Sequence, residues 1–339
     1  MMKKILAAAI VSAFAAPAFA ATANVDVYGK LHMSFSQFDD QPAGVKDQQF
    51  TSNPSRIGFK GAEDLGGGLA AIWQLEQLVN LDESGGNFAT RNSFIGLKSN
   101  TMGTVIFGRN DTPLKNIGRT VDLFADTLAD SRNLLGGGSD TRPNNTAQYT
   151  SPSFGGLTFA AAYSTDPAGS GNGGDATGSS AYNLSAAYNN GPLFLGLGYG
   201  DGDGHEANGY DKHMRVAAGF TMGNLKFVGQ YDKRDDDNSV NPGAQAGDFD
   251  AWMLGAAFTM GNIVLKANYM EGEFDGVNGF DQEQWTIGAD YNLSKRTSVY
   301  ALYANGENVV LGGGAGSSDR IGGANDDISA ISVGMVHSF

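Results

Sequence analysis

Five seven-residue segments alternate between bulky apolar and small or polar positions and end on tyrosine: LTFAAAY (157–163), LFLGLGY (193–199), LKFVGQY (225–231), IVLKANY (263–269) and TSVYALY (297–303). Their tyrosines stand 36, 32, 38 and 34 residues apart, the spacing of a repeated supersecondary unit. In the first four the odd-numbered positions carry the larger apolar groups, as with Leu157, Phe159 and Tyr163. A strict period of two predicts strands. Between them run AYNLSAAY to Tyr188, RVAAGF to Phe220, WMLGAAF to Phe258 and WTIGADY to Tyr291, each followed by a four-residue link: NNGP, TMGN, TMGN or NLSK. Such links predict tight antiparallel turns. The segments after the repeat tyrosines are long and polar instead, as in STDPAGSGNGGDATGSS and DKRDDDNSVNPGAQAGD.

The N-terminal half continues the pattern with VDVYGKLHMSF, SRIGFKGA, LAAIWQLEQ, RNSFIGLK, TVIFGR and NTAQYTS, for a total of about 16 strands. Two architectures use such strands. A soluble sandwich or propeller hides the apolar face in a core, whereas a membrane barrel turns it to lipid and its polar face to water. Aromatics at both strand ends, the asymmetry of loop lengths and an export signal favour the barrel. The predicted fold is therefore all-β: a transmembrane antiparallel β-barrel with short periplasmic turns and long extracellular loops. The closing SAISVGMVHSF obeys the same rule, with Ile331, Val333 and Met335 on one face and Phe339 at the girdle position of Tyr188, Phe220, Phe258 and Tyr291. This last strand must pair with VDVYGKLHMSF, because hydrocarbon leaves no backbone polar group unpaired.

Composition sharpens the picture. Lys3 and Lys4 before an apolar run, then APAFA, predict a signal peptide over residues 1–20 and one barrel domain over 21–339. With 22 Lys+Arg against 36 Asp+Glu the chain is acidic, which argues against nucleic acid as a partner. There is no cysteine, hence no disulfide, and no apolar run after the signal is long enough for a membrane helix. Enzyme motifs fail: HEANG at His205 lacks the second histidine of a zinc protease, no G-x-S-x-G occurs, GGGLAA precedes a strand, and DGDGHE lacks the later ligands of a calcium loop. No catalytic residue, metal or cofactor is expected.

The blocks SRIGFKGAEDLGGGLAAIWQLE, RNSFIGLKSNTMGTVIFGR, NNTAQYTSPSFGGLTFAAAYS, YNLSKRTSVYALYANG and VGMVHSF together resemble the general diffusion porins of Gram-negative bacteria, especially the neisserial and other betaproteobacterial type. The resemblance implies a homotrimer in the outer membrane, among its lipids and lipopolysaccharide, passing small hydrophilic solutes and ions. It implies that the third loop, residues 110–144, folds into the lumen. It further implies that Phe339 is read by the barrel-assembly machinery, and that Glu83 in DESGG latches onto a neighbouring subunit.

In that loop, TVDLFADTLADSRNLL places Asp122, Asp126 and Asp130 at i, i+4 and i+8, on one face of a short helix, with Val121, Phe124 and Leu128 on a neighbouring apolar face. This fits a solvated surface helix or, with the resemblance, a loop pinned to the wall with its aspartates facing a constriction. Alternation directs Lys30, His32 and Ser34 to the lumen, likewise Arg56 and Lys60, and, taking Phe94 as lipid-facing, Arg91. Lys30, Arg56 and Arg91 match the basic side of the porin constriction, though plain lumen solvation would also place them there. Gln148 stands where such porins often carry a base, with Arg142 nearby. The overall charge leads to an expectation of weak cation preference. A substrate-selective channel would need a line of lumen aromatics, and an outer-membrane enzyme or adhesin a Ser/His pair or a dominant structured loop. Acidic loops such as DDDNSV are candidates for bridging divalent ions to lipopolysaccharide.

Overall fold

The computed structural model of the 339-residue chain describes residues 24–39, 48–82, 89–136, 139–165, 180–203, 212–235, 248–275, 281–312 and 327–339. The proposed signal peptide and Glu83 lie outside the described residues. The strands are β1 Asn24–Asp39, β2 Gln48–Ser52, β3 Arg56–Gly66, β4 Leu69–Leu78, β5 Ser93–Ser99, β6 Gly103–Arg109, β7 Thr146–Thr150, β8 Leu157–Ser164 and β9 Ser180–Asn190. They continue as β10 Leu193–Asp203, β11 Lys212–Met222, β12 Leu225–Asp235, β13 Phe249–Met260, β14 Ile263–Phe274, β15 Gln282–Asn292, β16 Thr297–Glu307 and β17 Asp327–Ser338. Two helices, α1 Pro113–Val121 and α2 Arg132–Leu135, lie between β6 and β7.

Each strand pairs antiparallel with its neighbours, and β17 pairs with β1 from Lys30↔Ser338 to Asp39↔Ser329, which closes the ring. β2 and β3 both pair with β1 and form one interrupted wall strand, so the 17 segments make a 16-strand barrel. At the break Asn53, Pro54 and Ser55 lie opposite only Leu31 and His32, a bulge with one extra residue. Pro54 has no N–H to offer. The Ser55 hydroxyl instead accepts from His32 N at 2.9 Å and donates to His32 O at 3.2 Å.

Three of the four short links are tighter than their composition suggested, while the fourth, between Asn292 and Thr297, spans four residues. Gly191–Pro192, Gly223–Asn224 and Gly261–Asn262 are two-residue turns whose flanking residues already pair, as in Met222↔Leu225 and Met260↔Ile263. The leading glycines have φ of 56°, 59° and 58°, the left-handed region that a turn opening on glycine requires.

The predicted faces hold. Ile331, Val333 and Met335 stand exposed on the outside while Ala330 and Ser332, at the alternate positions, are buried. The outward band continues through Leu195, Leu197, Phe227, Leu254, Leu265 and Ile287. So large an apolar surface suits hydrocarbon rather than water. Phe339 donates to Gly29 O at 3.1 Å and accepts from Gly29 N at 3.0 Å, and its ring covers the space a Gly29 side chain would need. One assignment is corrected: Phe94 pairs with Gln74 and faces inward, while Ile95 and Leu97 face out. Arg91 precedes β5, outside its alternation, and reaches the lumen side from a bend.

Candidate functional site

The inner wall carries an unexpected apolar stretch. Phe194, Val228, Phe249, Met253 and Met270 point inward from β10 to β14, and Phe38, Leu302 and Ile328 do so near the closure. They are covered by the connection over residues 110–144. Its Ile117, Val121, Leu134 and Leu135 join the first group, and Phe124 and Leu128 the second. The expected apolar pinning of this loop to the wall is present, and Phe124 is 1 % exposed. The wall is shaped for it. Beyond Phe194 the inward positions on β10 are Gly196, Gly198 and Gly200, and a side chain at 196 or 198 would press on Ile117 or Leu114 of α1.

α1 is capped by Thr112, whose hydroxyl accepts from Lys115 N, with Pro113 in its first turn. It ends at Val121, so the three aspartates do not share a helix face. Carboxylates at i, i+4 and i+8 repel in a helix, whereas Asp readily caps and turns the chain. Asp122 Oδ1 accepts from Phe124 N at 2.9 Å, and Asp126 takes a left-handed φ of 63°.

These turns gather the three carboxylates around one guanidinium, that of Arg119, which the helical spacing of the acids does not reveal. Arg119 Nη2 lies 2.7 Å from Asp126 Oδ1, and its Nη1 lies 2.7 Å from Asp130 Oδ2 and 3.4 Å from Asp122 Oδ2. An Arg three residues before an Asp in a helical stretch was the available signal. Asp126 then bridges to the wall, with Lys30 Nζ 2.5 Å and Arg56 Nη1 3.6 Å from its Oδ2. Glu76, also overlooked, extends the network: its carboxylate is 2.6 Å from Arg91 Nε and 3.8 Å from Arg56 Nε, and accepts from Tyr28 OH at 3.0 Å. Arg132 Nε closes the far end, 3.2 Å from Asp130.

Lys30, Arg56, Arg91 and Asp126 thus come together, with acids touching bases rather than facing them across a gap. Asp122 and Asp130 differ from expectation, because their side chains have no exposed surface and hydrogen-bond within the loop. Arg142 binds Asp111 at 2.9 Å and Asn92, and does not stand in beside Gln148, which accepts from Asn110 at 3.1 Å.

The titration of the loop carboxyls follows from this packing. Burial opposes the Asp126 charge, but Lys30 and Arg119 outweigh it and hold the group well below the usual carboxylate range. For Asp122, burial and the neighbouring Asp130 charge push the group up to about 7 against the pull of Arg119. The pair therefore titrates apart, with Asp130 held down by Arg132 and Arg119 despite its burial.

Residues 7–310 match the family model described as Gram-negative porin. The major outer membrane protein P.IB of Neisseria meningitidis serogroup B is 30 % identical over 327 residues, covering 88 % of this chain and 91 % of its own. Its Neisseria lactamica counterpart is 28 % identical over the full length of both. Among solved structures, an anion-selective porin from Comamonas acidovorans superposes with a TM-score of 0.76 at 26 % identity, over 94 % of this chain and all of that one. A trimer form of OmpT from Vibrio cholerae gives 0.69 at 20 % identity, over 93 % and 99 % of the two chains. With its closed antiparallel ring, apolar outer band and polar interior, the chain belongs to the Gram-negative porins, outer-membrane channels for the passive diffusion of small hydrophilic solutes.

Proposed function

We propose that loop 110–144 narrows this channel, and that the ion-pair network on it forms an eyelet with a preference for anions. The observation that carries the reading is which members of the network meet water. Arg56 and Arg119 are each 25 % exposed and Arg91 18 %, whereas Asp126 is 10 %, Glu76 8 % and Asp122 and Asp130 0 %. The bases present themselves to passing solute and the acids sit behind them. Counting the network, Lys30, Arg56, Arg91, Arg119 and Arg132 oppose Glu76, Asp122, Asp126 and Asp130, which leaves one positive charge. This local balance replaces the weak cation preference inferred from total charge, because a charged constriction weighs more on passage than loops distant from it. The likeness to the anion-selective porin of Comamonas acidovorans points the same way.

Assembly as a homotrimer is part of the proposal, supported by the trimer form of the Vibrio neighbour. So is recognition of Phe339, paired at the end of the closing strand, by the barrel-assembly machinery. Liposome swelling tests the diffusion pore. Proteoliposomes in isotonic sugars are expected to swell at rates that fall with solute size and do not saturate; no swelling with any sugar contradicts it.

A further inference from the structure

Beside its apolar contacts, loop 110–144 meets the wall through directed bonds at separate points, Asp126 to Lys30, Leu114 N to Asn183 and Asn133 to Gln284, but one buried guanidinium ties several parts of it together. Arg215 of β11 is 1 % exposed. Its Nε and Nη2 donate to Asp232 of β12 at 2.9 and 2.6 Å, a two-pronged pair that fixes the plane of the group. His213 Nε2 lies 2.9 Å from the same carboxylate. The remaining donors all go to the loop: Nη1 to Leu114 O at 3.3 Å and Asp140 Oδ2 at 2.5 Å, and Nη2 to Leu135 O at 2.6 Å. One side chain therefore holds the start of α1, the end of α2 and the returning segment of the loop at Asp140. Arg234, on the same strand as Asp232, adds Leu134 O at 2.8 Å and Gly136 O, so three consecutive carbonyls at the end of α2 are capped from the wall. The helix makes room for this. A side chain at Gly118 would collide with the Arg215 guanidinium, which accounts for a glycine inside α1 where it weakens the helix.

We propose that Arg215 is the positioning residue that sets where loop 110–144 stands in the lumen, and so holds the channel at one steady opening. The inference rests on the channel reading above, but its core, the seating of the loop, is measured without any current. Replacing Arg215 by an apolar residue would strand Asp232 and Asp140 as buried charges and endanger folding. Arg215→Lys keeps the charge but cannot reach five acceptors, and Asp140→Asn weakens only the loop side; both serve as variants.

The chain has no cysteine, so introduced thiols report cleanly. Leu135→Cys places a thiol at a fully buried loop position. A small water-soluble thiol reagent is expected to label it about tenfold faster or more in Arg215→Lys than in the parent, with Asp140→Asn between them, as charged hydrogen bonds of this kind are lost. A second pair, Leu114→Cys with Gly198→Cys, removes the Leu114 side chain that a residue at 198 would press on and sets the Cβ atoms 3.2 Å apart, slightly closer than in an ordinary disulfide. In bilayers the Arg215→Lys channel is expected to flicker between levels, to become steady when this staple is oxidised, and to flicker again on reduction. Labelling rates equal to the parent in both folded variants overturn the proposal, as does flicker that the staple leaves unchanged. Absence of current in the parent itself would sink the channel reading, while the labelling rates still decide the anchoring.

Discussion

Asp126 Oδ2 lies 2.5 Å from Lys30 Nζ while Asp126 Oδ1 lies 2.7 Å from Arg119 Nη2, so one carboxylate at the tip of the inner loop joins the barrel wall to the loop's own base. The two charged sides expected to face each other across water are in contact, and the field between them is largely cancelled at that point.

Neutralising this carboxylate frees Lys30 and Arg56 without adding bulk. Asp126→Asn should raise anion preference, because an extra unit charge about 8 Å from the path is worth about 0.5 kcal/mol in water, roughly twofold in local anion concentration. The reversal potential in a potassium chloride gradient reads it. A shift toward cations would contradict the placement of Lys30 and Arg56 at the eyelet.

The wild-type channel should change its preference with pH through Asp122. Its buried carboxyl is pushed up to about 7, so lowering the pH from 8 to 6 adds a proton and removes a negative charge from a network already positive by one. Anion preference rises as pH falls, and Asp122→Asn should abolish the change. The sign for stability is the same: a raised carboxyl favours the folded loop increasingly as pH falls from about 7 toward its unfolded value. Asp126, held low, contributes the opposite way. Its stabilisation is complete above the usual carboxylate range and is lost only in strong acid, so it does not mask Asp122 between pH 6 and 8.

Phe124→Ala tests the apolar seat. The ring is buried against Tyr300, Leu302 and neighbours, with Lys266 Nζ 4.7 Å above its centre. Its loss should cost the loop about 3–5 kcal/mol of docking while leaving the strand ladder closed. Faster thiol labelling of loop cysteines, with unchanged heat-resistant migration of the folded barrel, is the expected pair of results.

Phe339→Ala separates packing from recognition. Phe339 is 41 % exposed, so truncation should cost the folded barrel only about 1–2 kcal/mol. If the assembly machinery reads this residue, the amount inserted in cells falls far more than unfolding in detergent would account for. Equal losses in both would reduce Phe339 to a packing role.

The barrel was legible because its code is binary and repeated: period two, aromatic ends and short glycine turns recur around the ring, and closure by the last strand follows from the need to pair its backbone. Lys30 and Arg56 were legible for the same reason. The loop was less so. Spacing along a helix said nothing of Asp126's left-handed turn, and while the spacing of Arg119 and Asp122 was readable, the reach of Arg119 to Asp126 and Asp130 exists only once the chain bends back. Phe194 was readable in principle: it lies between Leu193 and Leu195, and a strand apolar on both faces marks a wall covered on both sides. Glu76 shares the inward face of β4 with Gln74, but what it pairs with depends on Arg91 reaching in from outside β5.

The most direct measurement is single-channel recording of the purified wild-type protein in a planar bilayer under a potassium chloride gradient. Discrete ohmic steps are expected, grouped in threes, with a reversal potential displaced toward that of chloride. Membranes that stay silent as protein is added would contradict the pore, and steps with a potential clearly toward potassium would contradict the basic eyelet.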